Sequence, residues 1–158
     1  MTYPRNLAAS PQRRELVHAG LSLGLYLWLG PVRAEGHELD AAVRRFTGGA
    51  PVLSGRVTLD ISPIVDNGNT VPMTVAVDSP MSQSNHVTDL AVFNTRNPQR
   101  EVIRVKFTPH NGRAWLASRI RLAGSQDVLA IARMNDGRFW SHRVGVNVAI
   151  SACLEEVN

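Results

Sequence analysis

The stretch DVLAIARMNDGRFWSHRVGVNVAI, residues 127–150, decides the fold. Its opening DVLAIARM is nearly continuous in apolar side chains, as expected of a strand covered on both faces. Asp136-Gly137 then supplies a pair that tolerates positive φ in a tight hairpin. In WSHRVGVNVAI the even positions carry Val144, Val146, Val148 and Ile150, and the odd ones Gly145, Asn147 and Ala149. Side chains alternate across a strand, so the even face is the apolar one.

The same alternation recurs upstream. RVTLDI places Val57, Leu59 and Ile61 on one side, and VPMTVAV does so with Val71, Met73, Val75 and Val77. EVIRVKF sets Ile103, Val105 and Phe107 opposite Arg104 and Lys106, while VTDLAVF and AWLASRIRL complete the set. Asn67-Gly68 and Asn111-Gly112 are turn signals of the same kind as Asp136-Gly137. Ahead of the strands, HELDAAVRRFTGG spaces Leu39, Ala42, Val43 and Phe46 as a short amphipathic helix that Gly48-Gly49 stops. The expectation is an all-β chain: an immunoglobulin-like antiparallel β-sandwich of about seven strands. A short N-terminal helix precedes it and a C-terminal arm follows, with no repeat or linker dividing the domain.

The chain has 158 residues, 44% of them apolar and 19% charged, which is ordinary for a globular protein. Its net charge of +4 is largely local. Residues 1–34 hold Arg5, Arg13, Arg14 and Arg33 against Glu15, so the 17 basic and 13 acidic residues of the whole are nearly balanced in the remainder. A nucleic-acid function argued from isoelectric point alone therefore fails. That first segment reads instead as a cleavable export signal of the twin-arginine type. The Arg13-Arg14 pair precedes the apolar run AGLSLGLYLWLG, and PVRA before EG suits cleavage after Ala34. The run is too short for a bilayer span, which needs roughly 20 residues. The expected organisation is 1–34 signal, 35–150 folded domain and 151–158 arm, in a periplasmic protein free of the membrane once cleaved.

Enzyme signatures are missing from the sequence. His37, His86, His110 and His142 are scattered, and one cysteine gives no zinc-finger spacing. Neither a GxSxG elbow nor a glycine-rich phosphate loop occurs. Trp115 and Trp140 fall in strands as packing residues, and Asp60, Asp66 and Asp78 suit turn and capping roles. The expectation is no metal, no cofactor and no catalysis.

Cys153 stands apart as the single cysteine. It excludes an internal disulfide framework. In the register of the last strand it shares the odd face with Ser151 and Glu155, while Ala152 and Leu154 continue the apolar face. Glu155 and Glu156 disfavour a thiolate, and no basic residue lies nearer in sequence than Arg143. Such a thiol needs a positively charged pocket on another protein to become reactive. That behaviour suits a carrier better than an enzyme.

At this point the chain resembles the SoxY family, the sulfur-carrier subunit of periplasmic thiosulfate oxidation. The resemblance is carried by the helix ending in GG, by NGNTVPMTVAVDSPM, by RIRLAGSQDVLAIARMNDGRFW and by the placement of the cysteine. It implies a heterodimer with a smaller SoxZ-like β-sandwich subunit. It also implies an arm that carries covalently bound sulfur on Cys153 between sulfur-oxidation enzymes, such as the c-type haem and hydrolase Sox components. Where the standard arm reads GGCGG, this one reads SACLE and is similar to the branch with AACIE. Fewer glycines stiffen the arm, Leu154 adds an apolar handle, and Glu155 and Glu156 repel an incoming anion, which implies different clients or a different sulfur species. Two rival readings are a β-sandwich binding or scaffold module with an incidental thiol, and a metal-binding sandwich using histidines with Met73 or Met81.

Overall fold

Helix α1 spans Glu35–Thr47 and opens the part of the chain that the computed structural model describes, residues 35–150. The expected signal residues Arg13, Arg14 and Ala34 lie outside the described residues. So do Ser151, Ala152, Cys153, Leu154, Glu155 and Glu156 of the arm. Leu39 and Ala42 of α1 are buried, with Val43 and Phe46 packed beside them, as the spacing predicts. Gly48 and Gly49 follow at φ 65° and 84°, a conformation glycine adopts without steric cost, and the Gly48 N–H closes the helix on the Arg44 carbonyl at 2.8 Å.

Nine strands follow: β1 (Val52–Ser54), β2 (Val57–Ile61), β3 (Ile64–Asn67), β4 (Val71–Val77), β5 (Val87–Asn94), β6 (Glu101–Lys106), β7 (Ala114–Ile120), β8 (Gln126–Met134) and β9 (Phe139–Ile150). They form an immunoglobulin-like β-sandwich. One sheet runs β1-β9-β8-β5-β6, with β3 also on β9, and the other runs β2-β4-β7. All seven expected strands are present. The two extra ones, β1 and β3, pair with β9 in parallel, so the sandwich is not wholly antiparallel. Their shortness and their dependence on a partner some 80 residues away hide them from any local pattern.

Apolar side chains of both sheets meet in the main core, where Val71, Val75, Val87, Leu90, Val92 and Val128 are fully buried. The first sheet is also covered on its outer face. There α1 packs on Ala91, Phe93, Leu129, Ile131 and Phe139, and the Phe46 ring stands edge-on to Phe93 at 5.9 Å and to Phe139 at 5.7 Å. This explains the unbroken apolar run of β8: Val128, Ala130 and Ala132 face the inter-sheet core, and Leu129 and Ile131 face the helix.

One of the three turn signals makes a hairpin. At Asp136-Gly137, Gly137 takes φ 85° and the Met134 N–H meets the Arg138 carbonyl at 2.9 Å, joining β8 to β9. Asn111-Gly112 instead ends a 3-10 turn, Pro109–Asn111, where the chain crosses from β6 in one sheet to β7 in the other. Asn67-Gly68 joins β3 to β4, which do not pair with each other. Gly68 bonds elsewhere, at the site described next.

Candidate functional site

The last described residue, Ile150, is where the arm begins, and the backbone leading to it is held from both sides. On one side β9 pairs with β8, in register Gln126 to Val146. On the other it pairs with β3, with Ile64 opposite Asn147 and Asn67 opposite Ile150. The Asn147 N–H donates to the Pro63 carbonyl at 2.8 Å and the Val148 N–H to Ser125 Oγ at 2.9 Å. At the very end the Gly68 N–H reaches the Ile150 carbonyl at 2.9 Å, and the Gly68 carbonyl receives the Leu122 N–H at 2.8 Å. Gly68 thus ties the root of the arm to the loop ahead of β8. Nothing local in the sequence marks that role, since Asn67-Gly68 looks like a hairpin turn.

The register read from the sequence holds up to this point. Val146 is buried and Val144 and Val148 half-buried, while Gly145, Asn147 and Ala149 are exposed. Ile150 keeps the inward register but lies past the end of the core, 63% exposed, and Ile64 on the neighbouring strand is 71% exposed. Two large aliphatic side chains therefore flank the root of the arm in water.

The loops around the root are locked by a polar network. Asn94, fully buried, accepts the Asn97 N–H on Oδ1 and donates Nδ2 to the Gln99 carbonyl. Asn97 donates Nδ2 to the Arg121 carbonyl at 2.7 Å, and its Oδ1 accepts from the Ala123 N–H and from Gln126 Nε2. Gln126 Oε1 in turn accepts the Arg96 N–H at 2.9 Å. Buried polar groups satisfied in this way fix a loop, because an unpaired one is costly. Arg100 is consumed by the same loop: it bonds the Thr95 and Asn97 carbonyls and forms an ion pair with Glu38 of α1 at 2.7 Å. Sequence reading passed over these residues; the turn-forming run NTRNPQ at 94–99 was the available signal.

This framework places three arginines at the same end. Arg96 Nη1 lies 3.5 Å from the Ser125 carbonyl, beside β9. Arg121 precedes Leu122 in the Gly68 tie, and Arg119 lies near the end of β7. All three are exposed, and among the described residues no ion pair involves them. The far side of the root is acidic: Asp66 is exposed on β3.

The other residues singled out in the sequence fall into structural roles. His142 Nδ1 accepts the Leu59 N–H at 2.9 Å, and His86 Nδ1 lies 3.0 Å from the Ser82 carbonyl. His37 and His110 are exposed on α1 and the 3-10 turn. Among the described residues no three potential metal ligands of the His, Cys, Asp and Glu types gather, and Met73 and Met81 are buried in the inter-sheet core. Trp115 is exposed on β7 with the Arg113 guanidinium over its ring, and Trp140 packs against the core beneath Arg56. Asp60 and Asp66 lie within strands rather than at turns, and Asp78 follows β4, its N–H bonded to the Arg56 carbonyl.

A family model described as sulfur oxidation protein SoxY matches residues 43–153, so the match ends on Cys153. Among curated proteins the sequence has no significant match. Among solved structures the chain is similar to the sulfur carrier protein SoxY from Chlorobium limicola f thiosulfatophilum, at 22% identity and a TM-score of 0.62. That alignment covers 73% of this chain and 99% of the other. It is also similar to superoxide reductase (neelaredoxin) from Ignicoccus hospitalis, at 16% identity and a TM-score of 0.54, over 60% and 80% of the two chains. Superoxide reductase from Nanoarchaeum equitans aligns at 13% identity and 0.52, over 61% and 100%. At these identities the likenesses establish a common sandwich fold.

Proposed function

The chain belongs to the SoxY family of sulfur oxidation proteins, and on that premise we propose that it is an exported carrier that holds a sulfur group covalently on Cys153. The observation that carries the reading is the family match over the folded domain, with Cys153 as its last residue. Supporting it, the strand that leads to the cysteine is fastened up to Ile150 on both edges, which gives a presented thiol a fixed point of departure. Joining a thiol to the terminal sulfur of thiosulfate makes an S–S bond and releases one proton and two electrons. The loading step therefore requires an electron-accepting partner, a part suited to a c-type haem component. A hydrolase component would then act on the bound group. The carrier itself contributes position, not catalysis.

The proposal includes a SoxZ-like subunit as the stable partner and periplasmic delivery through the Arg13-Arg14 signal, with the mature chain starting at Glu35. Edge strands β6 and β7 and the short β2 need cover or blunting in any sandwich, which a partner subunit supplies. Intact mass of protein from sulfur-oxidising cells, purified without reductant, tests the central claim. We expect an adduct such as a persulfide or thiosulfonate on Cys153 and a start at Glu35. Free thiol throughout, with normal sulfur oxidation by Cys153→Ser cells, would return the protein to the scaffold reading.

A further inference from the structure

We infer that the free edge of β7 is a docking site for an extended segment of a partner protein, one that alternates apolar and acidic residues and adds to the sheet as an antiparallel strand. The register identifies the free groups. The Asp78 N–H donates to the Arg56 carbonyl at 2.7 Å, so the even-numbered residues of β4 bond to β2 and the odd-numbered ones to β7. Val71, Met73, Val75 and Val77 face Ile120, Ser118, Leu116 and Ala114. The N–H and C=O groups of Trp115, Ala117 and Arg119 therefore point away from β4, out of the sheet.

Two other edges are closed by the chain itself. β2, opposite β7 in the same sheet, has five residues, and its outward Leu59 N–H is taken by His142 Nδ1 at 2.9 Å. β6 is interrupted by a bulge at Val102, where Val92 faces Ile103 but Phe93 faces Glu101, and it carries Lys106 and the Arg104–Glu101 ion pair. Bulges and charges of this kind keep an edge from pairing. β7 has seven residues in unbroken register and no proline. Among the described residues its edge is covered past Ile120, where the Asn97 carboxamide bonds the Arg121 carbonyl at 2.7 Å and the Ala123 N–H at 3.0 Å, as a neighbouring peptide group would.

The surroundings select the occupant. Main-chain bonds hold an added strand, and the side chains on its two faces give it specificity. Those on the inner face enter a cavity of about 480 Å³ between β6 and β7, lined by Pro98, Val102, Ile103 and Ile120 among others, and are therefore apolar. Those on the outer face lie beside Trp115, Ala117 and Arg119, all exposed. Arg119 and Arg121 line the same cavity, and among the described residues neither forms an ion pair. Acidic side chains on that face are attracted and basic ones repelled.

The site lies in the folded domain and holds whether or not Cys153 carries sulfur. In the purified full-length protein, amide hydrogen exchange should be fast at Trp115, Ala117 and Arg119 and slow at Leu116 and Ser118, which bond to β4. The probe is a capped peptide alternating valine and glutamate, matched in length to the seven residues of β7. At about ten times its dissociation constant it should slow exchange at the three edge amides about tenfold. The same peptide with lysine for glutamate should leave them unchanged. Ala117→Pro removes the central N–H, a change that an edge strand tolerates, and should abolish the protection at Trp115 and Arg119. Methylating the glutamate nitrogens of the peptide, which face β7 in the antiparallel arrangement, should do the same without touching the protein. No protection by the glutamate peptide, equal protection by the lysine peptide, or protection that survives both changes would overturn the docking. No sulfur chemistry enters this measurement, so its failure would leave the carrier proposal to its own mass-spectrometric test.

Discussion

Strand β9 begins and ends in opposite environments. At its start, Phe139 is buried between α1 and the sheet, meeting Phe46 edge-on, and the Asp136-Gly137 hairpin ties it directly to β8. At its finish, Ile150 is mostly in water, and the fixing is done by backbone bonds to β3 and to Gly68. The start is held by apolar burial, which depends on side-chain identity. The finish is held by main-chain geometry, which leaves the side chains free to vary. A strand organised this way can carry a chemically variable arm without risking the fold.

The greatest effect that should separate the two ends is functional. Cys153→Ser should abolish sulfur transfer while leaving the melting temperature unchanged, as activity in cells and calorimetry on the pure protein would show together. A fall in stability would mean that the finish is also part of the core, and would break the contrast. At the start, Phe139→Ala should remove about 3–5 kcal/mol of stability in denaturant titration, the usual result for a large aromatic deleted from a packed site. Gly137→Ala comes next, at about 1–2 kcal/mol, because φ 85° is a left-handed conformation that strains an L side chain even where the space around it is open. Ile150→Ser, at the other end of the same strand, should stay within about 0.5 kcal/mol.

The smallest effect is a pH dependence at the start. The Asp136 carboxyl is held below its ordinary range, chiefly by the Arg138 side chain and then by the Arg138 N–H. A group with a depressed folded pKa stabilises above its unfolded pKa, and that contribution is lost as pH falls through the folded value. Asp136→Asn should therefore flatten the acid limb of the stability profile slightly, as unfolding followed from neutral to acid pH would show.

How much of this could be read in the sequence follows from the same division. The long strands were legible because each buries alternating residues, and β8 because it is apolar on both faces. Strands β1 and β3 were not, since Leu53 and Ile64 point apolar side chains outward and their pairing is decided by β9, far along the chain. Gly68 carried a hairpin signal but ties the end of β9 to the loop ahead of β8. Cys153 stood out as a singular residue in a polar register. Arg96, Arg119 and Arg121 could not, because it is the sheet topology that brings the ends of β5 and β7 to the end of the sandwich where β9 finishes.

The tie at Gly68 also has a mechanical consequence. Under the proposed carrier role, a partner that engages Cys153 would pull on Ile150 along the axis of β9. Bonds to β8 on one edge and to β3 and Gly68 on the other lie across that axis, so the load is shared in shear and not peeled away one bond at a time. Next to the end of β3, Gly68 also accepts the Leu122 N–H, so the loop between β7 and β8 shares the hold on Ile150. The domain is built as an anchor plate, in which a pull on Ile150 loads all of these bonds together.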